Sequence, residues 1–290
     1  MSEIDTASAA ATDLVIQAAD IETPVIKQLA RLTAADTIEA LTAAQTQAFR
    51  LSPVRYRAGV EEFCAEAAID FGFVPSTQRL ERVRLLAIDM DSTLISIECI
   101  DEIAAVQGIK PQVAAITENA MRGEVDIRES LTRRVALLAG VEVGALQQVY
   151  DERLRLSPGA ETMLTGFARS GARTLLVSSG FDFFTDRLKA RLGFDYTLAN
   201  TLELAAGKLT GRICGAIVDG HAKADAVARL GSELALEDGF TVVVGDGAND
   251  LQMLRRADVS VAYLAEPAVR AVTTYAIDYC GLDAILNLFR

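Results

Sequence analysis

Histidine and tryptophan are nearly missing from this chain, which has one His and no Trp in 290 residues. A lone His221 rules out a His-rich zinc site and a His-Glu-x-x-His protease helix and argues against a serine or cysteine hydrolase that depends on a His base. Cysteine is also sparse. Cys64, Cys99, Cys214 and Cys280 lie far apart with no Cys-x-x-Cys pair, so zinc, iron–sulfur and thioredoxin-like sites are not expected. The four read as reduced, buried, small apolar residues of a cytoplasmic protein. No uncharged apolar run approaches the roughly 18 residues that a membrane span requires. The start, MSEIDTASAAATDL, lacks the basic region of a secretory signal. Positive charge is short as well: 28 Lys plus Arg stand against 40 Asp plus Glu, a formal net charge of −12. That balance argues against nucleic acid or an anionic membrane as a partner.

What remains is a chain with 51% hydrophobic residues, long enough for one large domain or two unequal ones with a real core. If it is an enzyme, its acids, bases and nucleophiles must be mostly carboxylates. Residues 1–12 are small and polar and read as a disordered tail. Residues 13–80 read as a small α+β unit: a strand at 14–18, a helix at 24–32 opened by Thr23 and Pro24, an interrupted strand at 37–51, a helix at 54–71 and a short strand at 73–77. It contains no catalytic constellation.

From Arg84 the pattern changes. Leu85-Leu86-Ala87-Ile88 is a short apolar run of the kind found in strands covered on both faces. Similar runs at 174–177, 241–244 and 259–264 alternate with helical patterns at 160–170, 182–192, 222–234 and 249–257. This predicts an α/β fold with a doubly wound, mostly parallel sheet over residues 81–95 and 157–290. Residues 96–156 show only helical periodicity, broken at Gly108, Gly123 and Gly140. They read as a helical cap inserted after the first core strand, over the carboxyl ends of the sheet, where such folds bind ligands. Gly207-Lys-Leu-Thr-Gly211 reads as an appended hairpin.

The candidate chemistry lies at the strand ends. Asp89 and Asp91 in Asp-Met-Asp-Ser-Thr project to the same side of an extended backbone, whereas an isolated Asp-x-Asp reads as a solvated acidic loop. Gly245-Asp-Gly-Ala-Asn-Asp250 closes another strand of the sheet. Asp246, Asn249 and Asp250 offer hard oxygen ligands suited to Mg²⁺, or equally serve as turn and cap formers. Ser178-Ser179-Gly180 offers a hydroxyl and amides to an anion, or simply caps a helix. Lys223 could hold a phosphate and a carboxylate together, although a lone helix Lys is usually solvated.

In this order and spacing the motifs resemble the aspartyl-nucleophile phosphatases of the haloacid dehalogenase superfamily. The stretch from Asp89 to Ala104, with Gly207–Gly211 and Gly245–Asp250, is similar more narrowly to the phosphoserine phosphatase family. The resemblance covers residues 84–289. It implies that Asp89 is the nucleophile of an aspartyl-phosphate and Asp91 the general acid and base. Mg²⁺ would be held by Asp89, the Asp91 carbonyl and Asp246, with Asp250 behind or bridging through water. It further implies Ser178, Ser179, Lys223 and Asn249 around the phosphate, Glu98 on the substrate ammonium, Arg134 on its carboxylate and Met121 as a wall. Ile127 stands where the family often has Phe, and Ser179 where it has Gly. His221 gains no role. The implied activity is Mg²⁺-dependent hydrolysis of O-phospho-L-serine, the last step of serine biosynthesis. A homodimer through the N-terminal unit is the expected assembly.

Two other readings compete: phosphoryl transfer to an acceptor other than water, and an amino-acid sensor whose N-terminal unit binds the ligand. That unit weakly resembles small regulatory domains of biosynthetic enzymes, but as read it falls short of their four strands. A dehalogenase proper would leave Asp91 without a task.

Overall fold

The computed structural model describes residues 12–121, 126–234 and 239–290, apart from the side chains of Ala120, Met121 and Ile127. The expected tail, as far as residue 11, and the break at Gly123 lie outside the described residues. Chain contacts divide the protein into two compact units.

The first unit combines the N-terminal residues up to Val83 with Pro158–Gly171 and Tyr275–Arg290. Its sheet has four antiparallel strands, β1 (Thr12–Ala18), β2 (Thr37–Leu41), β3 (Gln47–Ser52) and β4 (Asp70–Pro75), in the order β2-β3-β1-β4. Helices Thr23–Thr33 and Val60–Glu66 lay Ile26, Leu29, Val60 and Cys64 against Leu14, Ile16 and Leu51. This corrects the expectation of an incomplete sheet, because the run read as one interrupted strand folds back as the β2–β3 hairpin. The helix expected from 54 to 71 is also shorter. Val54 and Arg55 donate backbone hydrogen bonds to Thr12 and Thr33 instead, and Gly59, at φ 78°, precedes the first helical turn.

Residues 158–171 and 275–290, read from sequence as part of the α/β core, group by contacts with this first unit. The buried Asp70 carboxylate accepts backbone N–H groups from Asp278 (2.7 Å), Tyr279 and Cys280 (2.9 Å). Buried Arg50 bonds Asp13 at 3.3 Å and donates to the carbonyls of Asn287 (3.2 Å) and Phe289 (2.8 Å). Helix Ala160–Arg169 brings Phe167 edge-on to Phe289.

The second unit spans Arg84–Ser157 and Ala172–Thr274. Its strands are β5 (Val83–Ile88), β6 (Arg173–Phe181), β7 (Tyr196–Ala205), β8 (Lys208–Cys214), β9 (Phe240–Gly245) and β10 (Val259–Tyr263), in the order β10-β9-β5-β6-β7-β8. The β5–β6, β6–β7 and β9–β10 pairs are parallel, while β7–β8 is the antiparallel hairpin that turns at Gly207. Leu85, Leu86, Ala87 and Ile88 are fully buried, as a strand covered on both faces demands. The cap consists of helices Cys99–Val106, Lys110–Met121, Ile127–Ala136 and Val143–Gln148. Its two connections to the sheet are tied by the Ile95–Leu156 bridge. The cap also rests on the hairpin, where the Gly140 N–H donates to the Leu209 carbonyl, the Leu209 N–H donates to the Val141 carbonyl, and Glu142 pairs with Lys208. The carboxyl ends of β5, β6 and β9 therefore open beneath the cap, at the place where open α/β sheets hold ligands.

Candidate active site

Asp89 follows directly on β5 and is almost fully buried. Its backbone N–H donates to the Val244 carbonyl of β9 at 3.1 Å, which ties the two loops together. The Oδ1 atom accepts from the Met90 N–H (2.7 Å) and from Lys223 Nζ (2.8 Å), while Oδ2 accepts no hydrogen bond among the described residues. Lys223, in the first turn of helix Gly220–Leu234, has no exposed surface and also bonds Asp250 Oδ1 at 2.8 Å. The other oxygen of Asp250 accepts the N–H groups of Asp246 (3.1 Å) and Gly247 (3.3 Å). A Cβ at Gly245 would come within 2.5 Å of that oxygen, so the strand must end in glycine for the loop to close. Asp246 Oδ1 accepts from Thr93 Oγ1 at 2.6 Å.

Asp91 sits in the turn Met90–Leu94, beside Ser92 at the left-handed φ of 55°. Its Oδ1 accepts the Cys99 N–H (2.9 Å), and its Oδ2 lies 3.5 Å from Ser178 Oγ. Ser178 Oγ in turn accepts the Gly180 N–H at 2.8 Å. Burial raises the pKa of Asp91, and the bonds from Cys99 and Ser178 only partly offset it. A carboxyl held in that state can begin a reaction as an acid.

The electrostatics fit a divalent cation. One oxygen from each of Asp89, Asp246 and Asp250 lies within 4.8 Å of the others. Three carboxylates against the single ammonium of Lys223 leave an excess of negative charge that two positive charges would balance. Crowding raises these acids: burial and then Asp250 push Asp89 well up, against the pull of Lys223, and the same two causes raise Asp246 to about 6. Burial acts to lower the pKa of Lys223, but Asp250 and Asp89 outweigh it and the ammonium is firmly held. Among the described residues, Asp250 accepts hydrogen bonds on both oxygens, Oδ1 from Lys223 and Oδ2 from two backbone N–H groups, whereas Asp89 and Asp246 each accept on Oδ1 alone. Hard carboxylate oxygens of this kind suit a small divalent cation.

These groups face a cavity of about 420 Å³ between the sheet and the cap. Asp89, Asp91, Asp246, Ser178, Ser179 and Asn249 line its floor, and Glu98 and Arg134 line it from the cap side, while Lys223 and Asp250 stand buried behind. Burial lowers the pKa of Arg134, and its Nε has no hydrogen-bond partner among the described residues. Glu98 accepts from Ser92 Oγ at 2.7 Å. Loss of water around its carboxyl, and then the charge of Asp91, push its pKa to about 7, although much of the side chain stays exposed. Ser179 presents a buried Oγ without a partner among the described residues, while Asn200 holds its carbonyl at 2.7 Å. The side chain of Met121, the expected wall, and that of Ile127 are not among those described. His221 is exposed, 3.1 Å from Gln252, and does not line the cavity.

Several residues at this cavity escaped the sequence reading, among them Ser130, Arg128 and Asp219. Arg128 Nε donates to Asp219 Oδ2 at 2.5 Å, linking the cap helix to the residue that precedes the Lys223 helix. The Ser130–Arg134 spacing of one helical turn was a usable signal, since such residues share a face.

Residues 86–255, from β5 through the Asp246–Asp250 loop, match the family pattern of the haloacid dehalogenase-like hydrolases. The chain belongs to this family. Among haloacid dehalogenase-like relatives, a phosphoserine phosphatase of Polaromonas sp. is 49% identical over 217 residues, covering 73% of this chain and 92% of its own. A family hydrolase from Salmonella enterica serovar Typhi superposes with a TM-score of 0.85 at 31% identity, covering 96% of this chain and 99% of its own. A probable phosphoserine phosphatase from Vibrio cholerae gives 0.80 at 31% identity, covering 95% and 85%. Both solved structures thus extend the likeness beyond the hydrolase unit.

Proposed function

We propose that the chain hydrolyses O-phospho-L-serine to L-serine and phosphate with Mg²⁺, as the last step of serine biosynthesis in the cytoplasm. The observation that carries this reading is the pairing of two unlike ends in one cavity: Asp89, Asp91 and Ser178 at the floor, and the Arg134 guanidinium with the Glu98 carboxylate on the cap side. A phosphomonoester that also bears a carboxylate and an ammonium meets a complementary group at each end. Arg suits the planar carboxylate.

In the first step, Asp89 Oδ2 attacks phosphorus and the bond from phosphorus to the serine oxygen breaks. Asp91 gives its proton to that leaving oxygen, so that serine departs as the neutral alcohol. In the second step, water attacks the aspartyl-phosphate, its proton passes to Asp91, and the Asp89 carboxylate returns. Lys223 fixes Asp89 Oδ1 and keeps Oδ2 turned to the reaction. Ser178, the backbone at Ser179 and Gly180, and Asn249 hold the phosphoryl oxygens. Asp89, Asp246 and the Asp91 carbonyl would hold Mg²⁺, which offsets the repulsion between a carboxylate and a phosphate dianion when bound. Asp250 orients this loop through the Asp246 and Gly247 amides.

Two structural features support the remaining expectations. All four cysteines are free, in keeping with a reducing compartment, but only Cys64, Cys99 and Cys280 are buried as expected, while Cys214, at the end of the β7–β8 hairpin, is exposed. Strand β2 is an edge strand exposed along Thr37–Ala40, which supports the N-terminal unit as the contact of a homodimer. Among the described residues no helix is long and apolar enough to cross a membrane.

The decisive experiment measures phosphate release from L-phosphoserine with and without Mg²⁺ for wild type and Asp89→Asn. Acid-stable labelled phosphoenzyme should form only on the wild type. Metal-independent turnover, or an Asp89→Asn variant as fast as wild type, would overturn the mechanism.

A further inference from the structure

Helix Ile127–Ala136 starts at Asp126, whose side chain accepts the Arg128 N–H at 2.9 Å and so fixes the register of every residue behind it. Hydroxyls inside helices ordinarily bond back to the carbonyl one turn earlier. Thr132 in this helix does so, to the Arg128 carbonyl at 2.8 Å, and Thr117 in the preceding cap helix does so to Val113. Ser130 does not. It is 2% exposed, its Oγ has no hydrogen-bond partner among the described residues, and it lines the cavity. Arg134, one turn further on, also turns an unpartnered buried atom, Nε, to this cavity. A buried hydroxyl without a partner is costly, so two such groups on one helix face call for a polar ligand that satisfies both.

We propose that Ser130 is a specificity-determining residue, whose Oγ donates to the same substrate carboxylate that Arg134 engages. This rests on the reading of the substrate as an amino-acid phosphomonoester. The carboxylate has two oxygens and takes donors from two directions. Arg134 supplies the charge, and Ser130 supplies a neutral donor at one helical turn's distance. A substrate with the same ammonium and phosphate but no carboxylate would leave both groups unpaired. The helix thus selects for the carboxylate by what it would otherwise bury without a partner.

The test compares O-phospho-L-serine with O-phosphoethanolamine, which lacks only the carboxylate. For Ser130→Ala the ratio of kcat/KM between the two should fall about 10- to 100-fold, the range for losing a hydrogen bond to a charged group. The change should lie in KM, with thermal melting confirming an intact fold. On an Arg134→Ala background the same substitution should move the ratio much less, since both residues act on one group. A ratio held within twofold, equal losses on both substrates, or full additivity with Arg134→Ala overturns the assignment and makes Ser130 a packing residue. A wild-type enzyme that hydrolyses phosphoethanolamine but not phosphoserine overturns the substrate reading, and this inference with it.

Discussion

Replacing Lys223 by Met removes the one ammonium that balances Asp89 and Asp250 while keeping the apolar stem. The side chain is fully buried and makes two 2.8 Å bonds to carboxylates that are themselves buried. Removing one partner from a buried charge pair costs about 3–5 kcal/mol, because it strands the charges left behind. Against a typical total of about 5–15 kcal/mol, that is a large share. At about 2–4 °C per kcal/mol for domains of this size, the melting temperature in EDTA should fall by about 6–20 °C. Adding Asp250→Asn removes one stranded charge and should recover part of the loss, a non-additivity of about 1–3 kcal/mol. Mg²⁺ should recover more, because it offsets the same charges. Circular dichroism melts of the wild type, the single and the double variant, each in EDTA and in Mg²⁺, give all the required differences. A Lys223→Met protein within about 1 kcal/mol of wild type in EDTA would show that the three groups are not balanced as the geometry requires.

The Glu98 carboxyl, raised from an ordinary 4.5 to about 7, binds its proton more tightly in the folded protein than in the unfolded chain. Its contribution to stability is therefore full below about pH 4.5 and lost as the pH climbs towards 7. In EDTA, Glu98→Gln should accordingly gain melting temperature relative to wild type between pH 5 and pH 8, and a constant difference would contradict the crowding. Gly180→Ala would place a Cβ 2.6 Å from Asp91 Oδ2, so kcat should fall about 100-fold from displacement of the acid, with an unchanged kcat refuting that contact. Asp70→Ala removes the acceptor of the backbone N–H groups of Asp278, Tyr279 and Cys280, and should cost about 3 kcal/mol in denaturant unfolding, whereas a change under about 0.5 kcal/mol would refute the role.

The α/β unit was largely legible in the sequence because its signals are local. The apolar run Leu85–Ile88 and the acids immediately after it name a buried strand and its reactive end in a few consecutive residues. Lys223 was legible only by resemblance. Nothing adjacent to it distinguishes a fully buried ammonium from a solvated helix lysine, since its partners Asp89 and Asp250 are 134 and 27 residues away. The first unit hid more. Asp13, Arg50 and Asp70 look like surface charges until residues 278–290 arrive to meet them. The helix expected over 54–71 is confined to Val60–Glu66 because Gly59 (φ 78°) and Ala68 (φ 53°) on either side take left-handed backbone that a helix cannot include. Ser130 went unnoticed because its significance lies in a bond it does not make.

The two-part construction of the first unit also bears on how the protein is made. Arg50 emerges from the ribosome early, but two of its acceptors are the carbonyls of Asn287 and Phe289. Roughly 200 residues separate the end of the N-terminal segment from these acceptors, a delay of about 10–40 s at a synthesis rate of about 5–20 residues per second. Throughout that interval a nascent sheet carries a guanidinium and the Asp70 carboxylate without the backbone groups that satisfy them. Residues up to Val83 thus reach their final state only after residues 275–290 have been made. A ribosome stalled after residue 274 would display them unfinished, accessible to chaperones and proteases alike.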